Sequence, residues 1–88
     1  MPLISQFYGI LIYIYKEMGV KHKTPHFHAQ YAEYEAVYDF ESNLIEGDLP
    51  RKQRKLVEAW TLIHCDELNA AWKAWNENGE VIKIVGLR

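Results

Sequence analysis

The spacing of apolar residues changes once along this chain, and the change falls at Pro50. Before it, apolar residues alternate with polar ones or bunch into short runs rich in isoleucine, valine, tyrosine and phenylalanine, the habit of strands. After it, Leu56, Trp60, Ile63, Leu68, Ala71, Trp72 and Trp75 recur mostly at three- and four-residue steps, the habit of an amphipathic helix. A chain that is strand-like first and helical afterwards builds an α+β fold. The expected form is a small antiparallel sheet of about four to five short strands, covered on one face by one long C-terminal helix. With 88 residues, of which 49% are apolar and 14% aromatic, one core can form without metals or disulfides, and residues 1–88 read as a single domain.

Phe7 to Tyr15 reads as one central strand, apolar on both sides. Met18 to Thr24 mixes glycine, lysine and histidine ahead of Pro25, which suits a basic loop entering the next strand in extended geometry. His26–Tyr31 and Tyr34–Phe40 form a hairpin around Ala32-Glu33, although neither is a favoured turn residue. That loop length sets Tyr31 opposite Tyr34, Ala29 opposite Ala36, His28 opposite Val37 and His26 opposite Asp39. Phe27, Ala29, Tyr31, Tyr34, Ala36, Tyr38 and Phe40 then make the core face, and His26, His28, Gln30, Glu35, Val37, Asp39 and Glu41 point away from it. A short fourth strand is expected over Leu44–Leu49. Asp48 is placed to cap the helix, and Pro50 suits its first turn. Asn78 or Gly79 is suited to end it in left-handed geometry. At 1.5 Å per residue such a helix runs for about 39 Å. That exceeds a small sheet, so a bend near Cys65-Asp66 is accommodated. Val81–Val85 is a last short strand for a sheet edge.

A net charge of −2 excludes a protein that coats nucleic acid through bulk positive charge. The charges nevertheless fall in blocks. Lys16, Lys21 and Lys23 come first, Glu33 to Asp48 are acidic, and Arg51-Lys52-Gln53-Arg54-Lys55 comes after them. The single cysteine, Cys65, has no internal partner, and no basic start with an apolar stretch marks an export signal, so a cytoplasmic location is expected. The longest apolar run is far shorter than the ~20 residues of a spanning helix, and no membrane association is expected.

The residues Met1-Pro2-x-Ile4-Ser5-x-Phe7-x-Gly9-Ile10, Pro25-His26-Phe27-His28-Ala29-x-Tyr31, Glu33-Tyr34, Gly47-x-Leu49-Pro50, and Val57, Trp60, Asp66-Glu67-Leu68 and Trp72 resemble the bacterial domain-of-unknown-function family 4160. The resemblance spans nearly the whole chain, and Pro25-His26-Phe27-His28-Ala29 is its most specific part. The sequence departs from the family at Thr24, where a second proline is expected, and at Ala32, where a hairpin glycine is expected. The resemblance implies a small protein encoded beside another of unknown function, in an arrangement like a toxin–antitoxin pair. It implies no established activity.

His26-x-His28 places two imidazoles on one side of a strand, about 6–7 Å apart. With Asp39, His22 or Glu41 they would make a metal site. A closed zinc site calls for more cysteine or histidine than this, and no metal is assigned. A carboxylate beside His26 would fix its tautomer, as a general acid or base requires. His26, His28, Asp39 and Lys23 are therefore the candidate catalytic set, with the parts of a metal-independent ribonuclease. Tyr13 and Tyr15, together with Arg51, Lys52, Arg54 and Lys55, are the candidate contacts to nucleic acid or a partner. The four cations at a helix start oppose its dipole unless anions lie nearby, and Glu46 and Asp48 are the simplest source. The residues of the first strand would leave an apolar stripe on the second sheet face, which points to a protein partner or a homodimer. No phosphate-binding glycine loop, serine-nucleophile motif or paired-cysteine motif occurs, so no cofactor is assigned. The leading reading is an accessory or toxin-like component of a two-gene module that binds a protein partner from a neighbouring gene, and RNA besides. The alternative is catalysis or metal binding on the histidine face.

Overall fold

The computed structural model describes residues 2–14 and 24–87. Five strands come first, β1 (Leu3–Phe7), β2 (Ile10–Tyr13), β3 (His26–Tyr31), β4 (Tyr34–Asp39) and β5 (Leu44–Gly47). Two helices come after them, α1 (Arg51–Ile63) and α2 (Cys65–Asn78). The strands pair antiparallel in chain order, so each lies beside its sequence neighbour.

The expected single strand over Phe7–Tyr15 is cut in two. Tyr8 and Gly9 both take positive φ, 49° and 79°, the paired left-handed geometry of a two-residue hairpin turn whose twist matches the strands it joins. Ile10, Ile12 and Ile14 consequently share one face and are buried. The second hairpin has the register its loop length dictates, from Tyr31 opposite Tyr34 to His26 opposite Asp39. Ala32 supplies the left-handed residue that glycine usually supplies, at φ 51°. β5 ends at Gly47, short of Leu49, because φ there turns to 76°.

The sheet is covered by two helices, not by the one long helix expected. The helical stretch breaks at His64, which has φ −109° and ψ 25°. An unbroken helix over Arg51–Asn78 would be about 42 Å long, whereas the greatest extent of the protein is 34 Å. Two local bonds mark the break. Thr61 Oγ1 donates back to the Val57 carbonyl at 2.7 Å, a contact that bends helices. His64 Nδ1 pairs with Glu67 Oε1 at 2.5 Å in the first turn of α2, where Asp66 and Glu67 also suit the helix dipole. The inward stripe keeps its phase through the break, with Val57, Trp60, Leu68 and Ala71 in one core cluster with the sheet, whereas Ile63, expected on that stripe, ends α1 exposed to solvent. Asp48 does not cap α1. Pro50 occupies that position without a side-chain bond, and Asp48 Oδ1 accepts instead from the Leu49 amide at 2.8 Å. Gly79 closes α2 in left-handed geometry, its amide donating to the Trp75 carbonyl at 3.0 Å.

Trp60 is the centre of the core, its ring centroid 5.3 Å from that of Phe7 and 5.8 Å from that of Phe27. It also fixes the last segment of the chain. Trp60 Nε1 donates to the Val85 carbonyl at 2.9 Å, and the Ile84 amide donates to the Ile4 carbonyl at 2.7 Å. The residues expected as a final strand thus form an extended strap, not a strand, along the outer side of β1. Gly86 makes this close approach possible, since a Cβ there would lie 2.6 Å from the Gln6 carbonyl oxygen. One edge of the sheet is sealed by the strap. The other edge is β5, all of whose residues are exposed.

Candidate functional site

The alternation of β3 sends Phe27 and Ala29 under the helices and His28 to the second face of the sheet. There Leu3, Tyr13, His28, Val37 and Glu46 form one row across β1 to β5, since Leu3 faces Tyr13, Tyr13 faces His28, His28 faces Val37 and Val37 faces Glu46. His28 Nδ1 lies 3.1 Å from Glu35 Oε1, one step diagonally across the β3–β4 hairpin. A carboxylate can only accept, so this contact places the proton on Nδ1 and fixes the orientation of the ring. The His28 side chain is 20% exposed and that of Glu35 56%. Both line a cavity of about 260 Å³ with Val37, Glu46 and Gly47. Two carboxylates beside one imidazole make this hollow attractive to cations and repellent to phosphate.

His26 and Asp39 sit opposite each other in the ladder, yet each bonds to other groups. His26 is only 3% exposed. Its Nδ1 bonds to the Thr24 carbonyl at 2.9 Å, and its ring lies 5.3 Å from that of Trp72 on α2 and 5.6 Å from that of His28. The Asp39 carboxylate ties down the β4–β5 turn, accepting from the Glu41 and Asn43 amides at 2.9 Å each and from Asn43 Nδ2 at 3.0 Å. Burial alone would raise the Asp39 pKa, but the bonds from Asn43 and Glu41 outweigh it and hold the group below its ordinary 3.8. Asp39 also lines a different cavity, of about 220 Å³, with Cys65 and Asn69. Among the described residues, a carboxylate that orients an imidazole on this face is therefore Glu35. Its signal was present in the hairpin register, which puts it on the histidine side. Lys23 and Tyr15 lie outside the described residues.

Arg51, Lys52, Arg54 and Lys55 are exposed on the first two turns of α1. Arg54 lies between two carboxylates, 3.8 Å from Asp48 Oδ1 and 3.8 Å from Glu58 Oε2, which offsets part of the unfavourable charge at this helix end. The helix rests on the Phe27 face, whereas Tyr13 belongs to the His28 face. The basic run and Tyr13 thus lie on opposite sides of the sheet. Among the described residues, no group of three or more histidine, cysteine, aspartate or glutamate side chains is arranged to hold a metal ion. Nor is any helix among them long and apolar enough to cross a membrane.

A family model described as a domain of unknown function, DUF4160, matches residues 9–73. No curated protein and no solved structure matches the chain.

Proposed function

The chain belongs to the DUF4160 family, and from its geometry we propose that it is a partner-binding protein; the resemblance read from its sequence is what supports its being the accessory or toxin-like component of a two-gene module. The observation that supports partner binding is the unequal treatment of the two sheet edges. β1 is closed by the strap, while β5 presents exposed Leu44 and Ile45, 42% and 45% accessible, beside backbone donors and acceptors that no other described strand pairs. Natural sheets blunt or cover such edges unless something pairs with them. The partner is the product of the neighbouring gene. Co-expression of the two, followed by chromatography with light scattering, yields one complex whose mass is the sum of its parts. Leu44→Lys with Ile45→Lys abolishes it. Separate elution of the two wild-type proteins overturns the reading.

A second reading, chemistry on the histidine face, is favoured by one observation, the orientation of His28 by Glu35 in the wall of a cavity. A ribonuclease there would have to bring a polyanion up to Glu35 and Glu46, which the local charge opposes. RNA cleavage lost in His28→Ala and retained in Asp39→Asn would establish it.

A further inference from the structure

The proposed function leaves open the chemistry of the partner, and the surroundings of β5 restrict it. We infer that the β5 edge binds an extended segment bearing a lysine or arginine, whose cationic side chain lies over the hollow formed by His28, Glu35, Val37, Glu46 and Gly47. This inference rests on the partner-binding reading.

Three features select that occupant over a second copy of the chain. The first is charge. Glu46 is on β5 itself and Glu35 is beside it on β4, so the edge carries two carboxylates around the hollow, while Asp48 just past its end is already paired with Arg54. Pairing β5 with β5 of another copy would bring these carboxylates together, and like charges across a ladder are unfavourable. The second is shape. A docked strand adds side chains on alternate sides, and those on the second face would stand next to the hollow of about 260 Å³. Its Val37 wall suits the methylenes of lysine or arginine, and its carboxylates suit the charged end. The third is length. With four residues and a register shift opposite Val37 and Tyr38, β5 offers a short ladder. Backbone pairing alone would be weak there, so side-chain recognition must add selectivity.

The test uses the full chain and short acetylated peptides read by fluorescence anisotropy. A peptide alternating valine with lysine binds, and the valine–glutamate counterpart binds at least about tenfold more weakly. Glu35→Gln with Glu46→Gln keeps the fold, since both side chains are exposed and glutamine can still accept from His28, but weakens the lysine peptide by about tenfold. Added salt weakens the wild-type complex. Methylating alternate backbone nitrogens of the peptide removes binding, as strand addition requires. Equal binding of the two peptides, or unchanged affinity in the double variant, overturns the inference. If the neighbouring gene product still forms its complex with that double variant at wild-type affinity, the partner-binding reading survives and the assignment of a basic segment fails.

Discussion

A Cβ at Gly47 would lie 2.1 Å from the carbonyl oxygen of Glu35 and 3.1 Å from the Ala36 Cα. Both neighbours are backbone of β4, which cannot withdraw without breaking its pairing to β3. The φ of 76° at Gly47 adds a second penalty for any residue with a side chain. Gly47→Ala therefore lowers stability by at least about 3 kcal/mol in denaturant titration. The same change moves β5 away from β4 and widens the hollow beside His28. A variant with wild-type stability would show that β5 is not seated as described.

How far the sequence revealed this arrangement differs from element to element. The β3–β4 register was legible, because period-two alternation and a two-residue loop leave one pairing that keeps Phe27 and Tyr38 together. Tyr8-Gly9 was hidden inside a run of β-favouring residues, where only the dipeptide itself marks the turn. The interruption at His64 was legible only through length, which called for a bend near Cys65-Asp66; that it splits the stretch into two helices was not, since the apolar stripe keeps its helical phase across it and neither glycine nor proline is present. The burial of His26 depends on Trp72, forty-six positions along the chain, and no local pattern carries that information. Asp39 was placed correctly opposite His26, but its carboxylate bonds to Glu41 and Asn43, two and four residues on, a local turn contact that competes with the cross-strand partner.

The strap can be tested at Gly86. A Cβ there would stand 2.6 Å from the Gln6 oxygen and 2.9 Å from the Phe7 Cβ, so Gly86→Ala pushes the segment off β1 at a cost of about 1–3 kcal/mol. The Ile84 amide, which donates to the Ile4 carbonyl, then exchanges with solvent faster than in the wild type. The uncovered β1 edge also becomes available for pairing, and the variant self-associates as its concentration rises. Unchanged protection at Ile84 would contradict the sealing of this edge.

Asp39 gives the acid side of the stability profile a specific origin. Its folded pKa lies below the ordinary 3.8, so the folded state holds the proton less tightly than the unfolded one. The resulting stabilisation is complete above the unfolded value and is lost as pH falls through it toward the folded one. Asp39→Ala removes the carboxylate together with its three bonds to the turn. Its stability should consequently fall at neutral pH, and the difference from wild type should shrink in strongly acidic solution. Parallel profiles for the two proteins would rule out this role.

The alkaline side belongs to Tyr38. Its phenol is pushed up to about 12, first by burial, then by Glu58, with Arg54 opposing and Asp48 adding to the rise. A group that holds its proton more tightly when folded contributes stability that is complete below the ordinary value of 10.0 and lost as pH rises toward the folded one. The ring is fully buried and stacked on Phe27 at 5.8 Å, so the packing, not the hydroxyl, is what the core uses. Tyr38→Phe keeps that packing and removes a buried hydroxyl that has no hydrogen-bond partner among the described residues. The variant should be at least as stable as wild type at neutral pH. Above pH 10 it should lose less stability than wild type, and the late-titrating tyrosinate absorbance should be missing. A marked loss of stability at neutral pH would mean that the hydroxyl holds the sheet to α1 through a bond of its own.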